Sequence, residues 1–214
     1  MRIEEIMRKR VVTVAAETMI GDALQLLRGN RIRHLPVMEG DKLVGIISDR
    51  DLRDALPSSL IHHDDDSVVL KKSVSAIMKR EVITAHPLDF IQDAAKTVYD
   101  HKVGSLPVLE GGRLVGIVTE SDILNCLVEL FGVNRPSSVL EVKVEDRAGT
   151  LAEVSNVFRE AGINVCSMVI TPTAEPGHKI LLFRVQTIDT RPLVAKLREH
   201  GFHVVAPTEG GVMS

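Results

Sequence analysis

The hydrophobic positions in the first part of the chain follow one pattern twice. Residues 20–28 carry apolar side chains at helical spacing, and two short apolar runs follow at 35–38 and 43–47. A polar turn that contains glycine separates these runs, so the pattern predicts a helix followed by a β-hairpin. The same helix and hairpin return at residues 91–100, 106–109 and 114–118.

The repeat extends to individual residues and contains no gap. Asp51 returns as Asp122, and Thr18 and Asp89 are each predicted to cap the first helix of their copy. One offset of 71 residues for every match indicates two copies of one supersecondary unit. The longer matches are Ile6-Met7 with Ile77-Met78, Leu35-Pro36-Val37 with Leu106-Pro107-Val108, and Leu43-Val44-Gly45-Ile46 with Leu114-Val115-Gly116-Ile117.

These matches place the first copy at residues 1–57 and the second at 73–132, with a connector at 58–72. The connector contains Ser58-Ser59, His62-His63 and Asp64-Asp65-Asp66, and it is predicted to be exposed. Its histidines and aspartates are metal-binding residue types, but neighbouring ligands on a loop rarely converge on one ion. A solvated loop is the favoured interpretation, and no metal site is predicted.

Residues 138–209 carry a different pattern. Alternating apolar positions predict strands at 139–144, 163–171, 180–187 and 202–206, and amphipathic spacing predicts helices at 150–161 and 191–200. The order βαββαβ is typical of a small domain with its helices on one face of the sheet. Thr150 and Glu153 are predicted to form a capping box. The whole chain is therefore predicted to have a mixed α+β fold.

The composition is that of an ordinary globular protein, and it excludes several classes. Hydrophobic residues make up 44% of the chain, charged residues 26%, and the formal net charge is -3. Nucleic-acid binding would need a basic face, so no nucleic acid is expected as a partner. No apolar run approaches the ~18 residues that span a bilayer, and the N-terminus lacks the apolar segment of a signal peptide. We therefore expect a cytoplasmic protein with no membrane partner.

The residues with reactive side chains form no catalytic motif. Cys126 and Cys166 are far apart and are expected to be small buried residues in a reducing compartment. Walker, G-x-S-x-G and H-E-x-x-H motifs are absent from the sequence, and the histidines are scattered. No catalytic residue, metal or required cofactor is predicted, and a binding function is favoured.

Two matching patterns, Ser48-x-x-Asp51 and Thr119-x-x-Asp122, stand where the last helix of each copy is predicted to begin. One interpretation is a capping box that binds nothing. The other begins from the same geometry, because a helix N-terminus favours phosphate and a carboxylate accepts the two hydroxyls of a ribose. The sequence alone leaves both interpretations open.

The repeated hairpins and these helix starts resemble the CBS motif over roughly residues 1–131. Two CBS motifs normally pair into one module with clefts between them, so the resemblance implies an adenine nucleotide of the AMP, ADP or ATP class as ligand. It implies that Asp51 and Asp122 hold the ribose, with Ser48 and Thr119 near the phosphate. The resemblance also assigns Thr13, Val14, Arg33, His34, Leu35 and Pro36 to the first cleft, and Thr84, Ala85, Gly104, Ser105, Leu106 and Pro107 to the second. Arg50 and Ser121, which occupy matching positions in the two copies, complete the predicted nucleotide-binding residues. Val12 and Ile83 would line the same slots or belong to the core alone.

The two copies differ in charge around the predicted clefts. Clustered guanidinium groups suit a polyphosphate, so the first cleft is predicted to prefer the more anionic nucleotide. A solvated basic face, or salt bridges to a partner chain, would explain the same residues. The first copy carries Arg31, Arg33, His34, Arg50 and Arg53 where the second carries Lys102, Gly104, Ser105, Ser121 and Leu124.

The C-terminal segment resembles an ACT domain through Asp146-Arg147-Ala148-Gly149-x-Leu151 and Gly162-Ile163-Asn164-Val165. ACT domains often bind small ligands where two modules meet, which implicates Asp146, Arg147, Gly149 and Asn164. Many ACT domains only dimerise. The domain order, the chain length and residues 85–90 together resemble the acetoin utilization protein B family, which implies a role in growth on acetoin and butanediol.

Several functions are compatible with these patterns. The favoured one is a non-enzymatic regulatory protein, in which nucleotide binding shifts the packing of the CBS motifs and an ACT domain or an unidentified target protein responds. The alternatives are an interaction scaffold with empty clefts, an ACT-domain sensor of an amino acid or other small metabolite, and an enzyme of acetoin breakdown. Both kinds of module usually self-associate, so a homodimer is expected.

Overall fold

The repeated sequence folds into two repeated sets of helices and strands. The computed structural model describes residues 1–55 and 66–206, and it divides the chain into two units, Met1–Leu124 and Asn125–Ser214. The first set is α1 (Ile3–Ile6), β1 (Val14–Ala15), α2 (Ile20–Asn30), β2 (His34–Glu39), β3 (Lys42–Ser48) and α3 (Asp49–Ala55). The second is α4 (Asp66–Leu70), a short 3-10 helix (Val74–Ala76), α5 (Ile91–His101), β4 (Ser105–Glu110), β5 (Arg113–Thr119) and α6 (Glu120–Leu130).

The predicted hairpins are confirmed in both copies. β2 pairs antiparallel with β3 and β4 with β5, in the same register and with an irregularity at the same place. Val14 pairs with Val37 in parallel, and Ala85 pairs with Val108 at the corresponding position of the second copy. The wholly buried Leu35 and Leu106 anchor the two hairpins in the hydrophobic interior, where burial of apolar side chains stabilises the fold.

Each copy sends its N-terminal segment across to the other copy. The Arg8 N–H donates to the Ile117 carbonyl over 2.9 Å, and the Lys79 N–H donates to the Ile46 carbonyl over 2.9 Å. The return bonds, from Ile117 to Arg8 and from Ile46 to Lys79, measure 3.1 and 2.9 Å. The exchange is reciprocal, so the two copies are related by an approximate twofold axis.

Glycine allows these crossings, because each crossing segment packs directly on the opposite strand. A Cβ at Gly45 would lie 2.5 Å from the Met78 sulfur, and one at Gly116 would lie 2.5 Å from the Met7 sulfur. Real Cβ atoms are not found so close to another atom, so a larger residue at either position would force the crossing segment to move.

The predicted connector, residues 58–72, is described only from Asp66 onward. There it begins with helix α4 rather than an exposed loop, and Val69 and Leu70 pack against the hydrophobic core of the first copy. These apolar residues leave water on folding, which favours a helix over a solvated segment. His62, His63 and the carboxylates of Asp64, Asp65 and Asp66 lie outside the described part of the chain.

The second unit contains the predicted βαββαβ arrangement. Its antiparallel sheet has the strand order β7-β8-β6-β9. Helices α7 and α8 cover one face of the sheet, where the alternate residues Leu140, Val142, Leu181 and Phe183 join the core. The elements are β6 (Ser138–Glu145), α7 (Thr150–Ala161), β7 (Val165–Pro172), β8 (His178–Val185), α8 (Arg191–Glu199) and β9 (His203–Ala206).

Two predicted helix caps, Thr18 and Asp89, are wrong. The Thr18 hydroxyl oxygen accepts from the Ala15 N–H over 3.1 Å, and an Asp89 carboxylate oxygen accepts from the His86 N–H over 2.7 Å. Both side chains therefore close the turn before the helix rather than cap the helix itself. Short polar side chains offer the backbone this competing local bond.

The predicted Thr150–Glu153 capping box is also wrong. Gly149, in the left-handed conformation with φ of 91°, is the residue before helix α7. The buried Thr150 hydroxyl donates to the carbonyls of Glu145 and Arg147. Glu153 instead forms a two-bond pair with the Arg147 guanidinium, at 2.8 and 2.7 Å. A bidentate charged pair is stronger than one neutral cap bond, so the box is lost.

One expectation about cysteine is only half right. Cys126 is buried as predicted, but Cys166 on β7 is half-buried. Neither cysteine forms a disulfide. Strand β7 lies at an edge of the sheet, so its side chains have fewer neighbours than those of the central strands.

Candidate functional site

The Ser48-x-x-Asp51 segment closes the N-terminus of α3, as the capping-box interpretation predicts. Oδ2 of Asp51 accepts from the Ser48 N–H over 2.8 Å and from the Ser48 hydroxyl over 2.5 Å. The Asp51 N–H donates to the same hydroxyl oxygen over 3.2 Å. Three bonds within four residues hold the carboxylate in one orientation at the helix start. We call its surroundings the first cleft.

The Thr119-x-x-Asp122 segment repeats this geometry at the start of α6. Oδ2 of Asp122 accepts from the Thr119 N–H over 3.0 Å and from the Thr119 hydroxyl over 2.6 Å, and the Asp122 N–H donates back over 3.2 Å. We call its surroundings the second cleft. Both copies therefore keep the same polar group in the same place.

The capping box uses one oxygen of each carboxylate, and the other oxygen faces a cation from the opposite copy. Oδ1 of Asp51 lies 3.8 Å from the Lys79 ammonium, and Oδ1 of Asp122 lies 3.2 Å from the Arg8 guanidinium. The carboxylates are 19% and 17% exposed, whereas the cations are 67% and 60% exposed. Each cleft thus contains a fixed acceptor for hydroxyl groups beside an exposed positive charge.

Sequence reasoning missed Arg8 and Lys79, although the sequence contained a signal. Both are cations, both follow the repeated Ile-Met pair, and they lie 71 residues apart. The local pattern does not say that these segments cross to the other copy. Only the crossing brings each cation to the opposite carboxylate.

The residues predicted to line the adenine slots differ in the exposure of their side chains. Thr13 and Thr84 are exposed, while Val14 and Ala85 beside them are buried. Val12 is half-buried and packs against the first core, and Ile83 is also half-buried. The threonines face the surface of the module, and the side chains of Val14 and Ala85 belong to its interior.

The hairpin residues of both slots are core residues. Leu35, Pro36, Leu106 and Pro107 are all buried, and the Pro107 carbonyl accepts from the Ala85 N–H over 3.0 Å. Their side chains therefore support the clefts from beneath.

The arginines of the first copy differ in their contacts. Arg33 and Arg50 are exposed, whereas Arg53 pairs with Asp49 over 2.6 Å on the surface of α3. Arg31 ends helix α2 in the left-handed conformation, with φ of 52°. Arg33 and Arg50 thus remain as the candidates for phosphate binding. Ser121, which replaces Arg50 in the second copy, is exposed.

His34 lies where the two copies meet. It pairs across the hairpin with Ser48, and its ring lies against Gly104 of the second copy. A Cβ at Gly104 would be 2.8 Å from both Cε1 and Nε2 of the imidazole. Burial lowers the pKa of His34 from its ordinary value of 6.5, and the positive charge of Arg33 lowers it further.

Ser105, the counterpart of His34, is 3% exposed. Its hydroxyl has no hydrogen-bond partner among the described residues. A buried polar group without a partner is uncommon and marks a place where a further donor or acceptor would be accommodated. This place lies beside Thr119, with which Ser105 pairs across its hairpin.

The residues predicted to bind an effector in the second unit do not all lie together. Asp146, Arg147 and Gly149 form the turn after β6, where Asp146 pairs with Lys179 over 2.9 Å. Asn164 precedes β7, with its amide 3.4 Å from that of Gln186. Asp146 lies opposite Gly177 and Asn164 opposite Gln186, at the two ends of the strands and roughly 30 Å apart at about 3.3 Å per residue. Within one chain they cannot hold one small ligand.

A cavity of about 390 Å³ lies beside the β6–α7 turn instead. Arg147, His178, His200 and His203 are among the residues that line it. Arg147 holds the pKa of Glu153 below its ordinary value through their two hydrogen bonds. The cavity is polar, and its charged groups are already paired within the domain.

Among the described residues, no group of three or more metal-binding side chains could hold a metal ion. None of the helices in residues 1–55 and 66–206 is long and apolar enough to cross a membrane.

Two protein-family models match the sequence of this chain. The model of the CBS domain matches residues 3–58 and 74–129, and the model of the ACT domain matches residues 138–201. The chain belongs to the CBS-domain family. It contains two CBS domains followed by an ACT domain, as the sequence pattern predicted.

Among curated relatives, a CBS domain-containing protein of Dictyostelium discoideum is 37% identical over 141 residues, which are 64% of this chain and 97% of that protein. The inosine-5'-monophosphate dehydrogenase of Korarchaeum cryptofilum is 33% identical over 164 residues. That match spans 73% of this chain but 32% of the enzyme. CBS domains thus occur both in small proteins and as parts of enzymes.

Solved structures share the fold of the CBS domains. A Vibrio cholerae protein provisionally named as an acetoin utilization protein is 29% identical, with a TM-score of 0.54, over 64% of this chain and 98% of its own. A CBS-domain pair in complex with 5'-methylthioadenosine and S-adenosyl-L-methionine is 30% identical, with a TM-score of 0.52, over 60% and 97%. CBSX2 in complex with AMP is 27% identical, with a TM-score of 0.52, over 63% and 98%. CBS-domain proteins similar to this chain therefore bind adenine nucleotides or adenosyl compounds.

Proposed function

We propose that this protein is a non-enzymatic regulator that binds an adenine nucleotide of the AMP, ADP or ATP class in its CBS clefts. The observation that carries this proposal is the carboxylate of Asp51 and of Asp122, which is fixed at a helix start by one oxygen and faces an exposed cation with the other. The carboxylate suits a ribose diol, and the helix N–H groups with Lys79 or Arg8 suit a phosphate. The relatives that bind AMP or adenosyl compounds support the same ligand class.

Calorimetric titration of AMP, ADP, ATP and S-adenosyl-L-methionine into the full-length protein tests this proposal. Asp51→Asn and Asp122→Asn should each weaken binding to one cleft about tenfold or more, because each removes a charged acceptor but keeps a similar shape. Asp93→Asn is the matched control, since Asp93 lies exposed in the first turn of α5 and belongs to no cleft. No heat and no thermal shift with any of the four compounds would refute the proposal.

We propose further that the first cleft prefers the more anionic nucleotide. Arg33 and Arg50 are exposed near it, and Gly104 and Ser121 replace them in the second copy. Arg33→Ala and Arg50→Ala should then reduce the preference for ATP over AMP. Arg53→Ala should leave it unchanged, because Arg53 is paired with Asp49. An unaltered preference in the first two variants would argue for a merely solvated basic face.

The biological setting is proposed from similarity. A role in acetoin and butanediol use is supported by the likeness to the Vibrio cholerae protein, and deletion of the gene should slow growth on acetoin as carbon source. We also propose that the protein is a cytoplasmic homodimer that acts on an unidentified target protein. Met168 and Ile170 on the edge strand β7 are 36% and 49% exposed, which supports self-association. The mass in solution by light scattering checks the dimer.

A further inference from the structure

The side chain of His34 borders both clefts. On one side it pairs across the hairpin with Ser48, which belongs to the first capping box. On the other side its ring rests on Gly104. The Gly104 carbonyl accepts from the N–H of Glu120, the first residue of α6, over 3.1 Å. His34 therefore lies between the starts of the two helices that define the clefts.

The sequence makes this position asymmetric. By the repeat, Ser105 corresponds to His34 and Arg33 to Gly104. A side chain larger than glycine at position 104 would collide with the imidazole, so the ring reaches the second copy only because a glycine stands there. Near the axis the first copy thus contributes an imidazole, and the second contributes the Ser105 hydroxyl, which has no hydrogen-bond partner in the described part of the chain.

The charges that face His34 come from three elements. Arg33 directly precedes strand β2, Asp49 and Asp51 lie on α3, and Lys79 lies on the segment that crosses from the second copy. The start of β4 contributes Gly104 and Ser105, which are uncharged. Burial and the two cations outweigh the two carboxylates, so the imidazole is neutral in the unliganded protein at neutral pH.

We propose that His34 is an anion-binding side chain shared by both clefts, and that a nucleotide phosphate in either cleft binds together with one proton that this imidazole takes from solvent. This inference rests on the proposed nucleotide binding. A phosphate brought near the ring favours the imidazolium form, so binding and protonation promote each other. A second phosphate then meets a ring that is already cationic, and the two clefts are coupled.

The direction of the pH dependence follows from this linkage. The pKa of His34 is low without nucleotide and higher with it, so affinity rises as the pH falls between these two values. Above both values the ring is neutral in both states, and neither proton uptake nor coupling is expected. Each pKa unit by which a phosphate raises His34 corresponds to a tenfold gain in affinity across this window.

Titration of ATP at pH 6 and pH 8, in buffers of different ionisation enthalpy, measures the protons taken up per mole of nucleotide bound. Phosphate groups also titrate near pH 6. The readout is therefore the difference in proton uptake between the wild type and His34→Gln. The wild type should take up a larger fraction of a proton at pH 6, and the two proteins should agree at pH 8. His101→Gln, at the exposed end of α5, is the control and should behave as the wild type does.

Variants that weaken one cleft at a time test whether His34 serves both clefts. In both Asp51→Asn and Asp122→Asn, the proton uptake that depends on His34 should persist when nucleotide binds to the remaining cleft. Its disappearance in only one of them would show that His34 serves a single cleft and would overturn the inference. Nucleotide binding with equal proton uptake in the wild type and His34→Gln would overturn it too, while leaving nucleotide binding intact. Absence of any binding would instead refute the proposed function.

Discussion

At the scale of single residues, the clefts depend on how each carboxylate divides its two oxygens. One oxygen of Asp51 bonds the backbone and side chain of Ser48, so the side chain is immobilised before any ligand arrives. The other oxygen faces an exposed lysine, and an exposed ion pair contributes little to stability. The capping and binding interpretations of this motif are thus compatible, because each uses a different oxygen.

The contact between His34 and Gly104 gives a prediction at this scale. Gly104→Ala should lower the free energy of unfolding by about 0.5–1.5 kcal/mol, because the new methyl group would lie 2.8 Å from the imidazole and force the ring to turn away. The same change made together with His34→Ala should cost much less, since the obstructing ring is gone. Urea denaturation of the four proteins in this cycle measures the coupling. Equal costs in both backgrounds would contradict the contact.

Some contacts of single residues could be predicted from the sequence, and others could not. The Ser/Thr-x-x-Asp boxes could be predicted, because every bond in them lies within four residues. Thr18 and Asp89 were assigned wrongly for a related reason: two local bonds compete for one side chain, and the sequence does not say which has the better geometry. The position of His34 against Gly104 depends on residues 70 apart in the chain, which no local pattern contains.

At the scale of elements, the crossing segments hold the two copies together. Each forms a pair of backbone bonds with the central part of the opposite β-strand, and each rests its methionine on a glycine. The hairpins and helices themselves were predictable, because their hydrophobic periodicity is strong. The crossing was not, because residues 7–10 and 78–81 have no periodicity that indicates a partner.

These glycines lead to a prediction at the scale of elements. Gly116→Ala should destabilise the protein by about 1–3 kcal/mol, because a Cβ there would press on Met7 and on the Arg8 carbonyl. Gly29→Ala is the matched control. It lies on helix α2 with no atom within 4 Å of the new Cβ, and should stabilise by up to about 1 kcal/mol through helix propensity. Thermal unfolding compares the two, and similar stabilities would contradict the close packing of the crossing segment.

At the scale of the whole molecule, the chain consists of two units with separate hydrophobic cores. Their fold classes were visible in the sequence, because one part repeats and the other does not. The four residues predicted to bind an effector are spread over the ACT domain. Asn164 and Asp146 both follow an element end, but only the register of the sheet shows that these ends are opposite.

Two buried leucines provide a prediction at this scale. Leu52 on α3 and Leu193 on α8 are both wholly buried, so Leu52→Ala and Leu193→Ala should each destabilise by about 2–5 kcal/mol. Only Leu52→Ala should also weaken nucleotide binding, because α3 carries the first capping box. Titration of ATP into both variants checks this. Equal losses of affinity would show that binding depends on general stability rather than on the position of α3.

The contact between His34 and Gly104 has a consequence for the history of the fold. In a dimer of identical single motifs, every contact across the twofold axis occurs twice, so a histidine on one side would be matched by the same histidine on the other. Joining two motifs in one polypeptide removes this restriction, because the two sides of the axis can then mutate separately. The asymmetric centre of this module is therefore a property that gene fusion made available and that an ancestral self-paired motif could not have possessed.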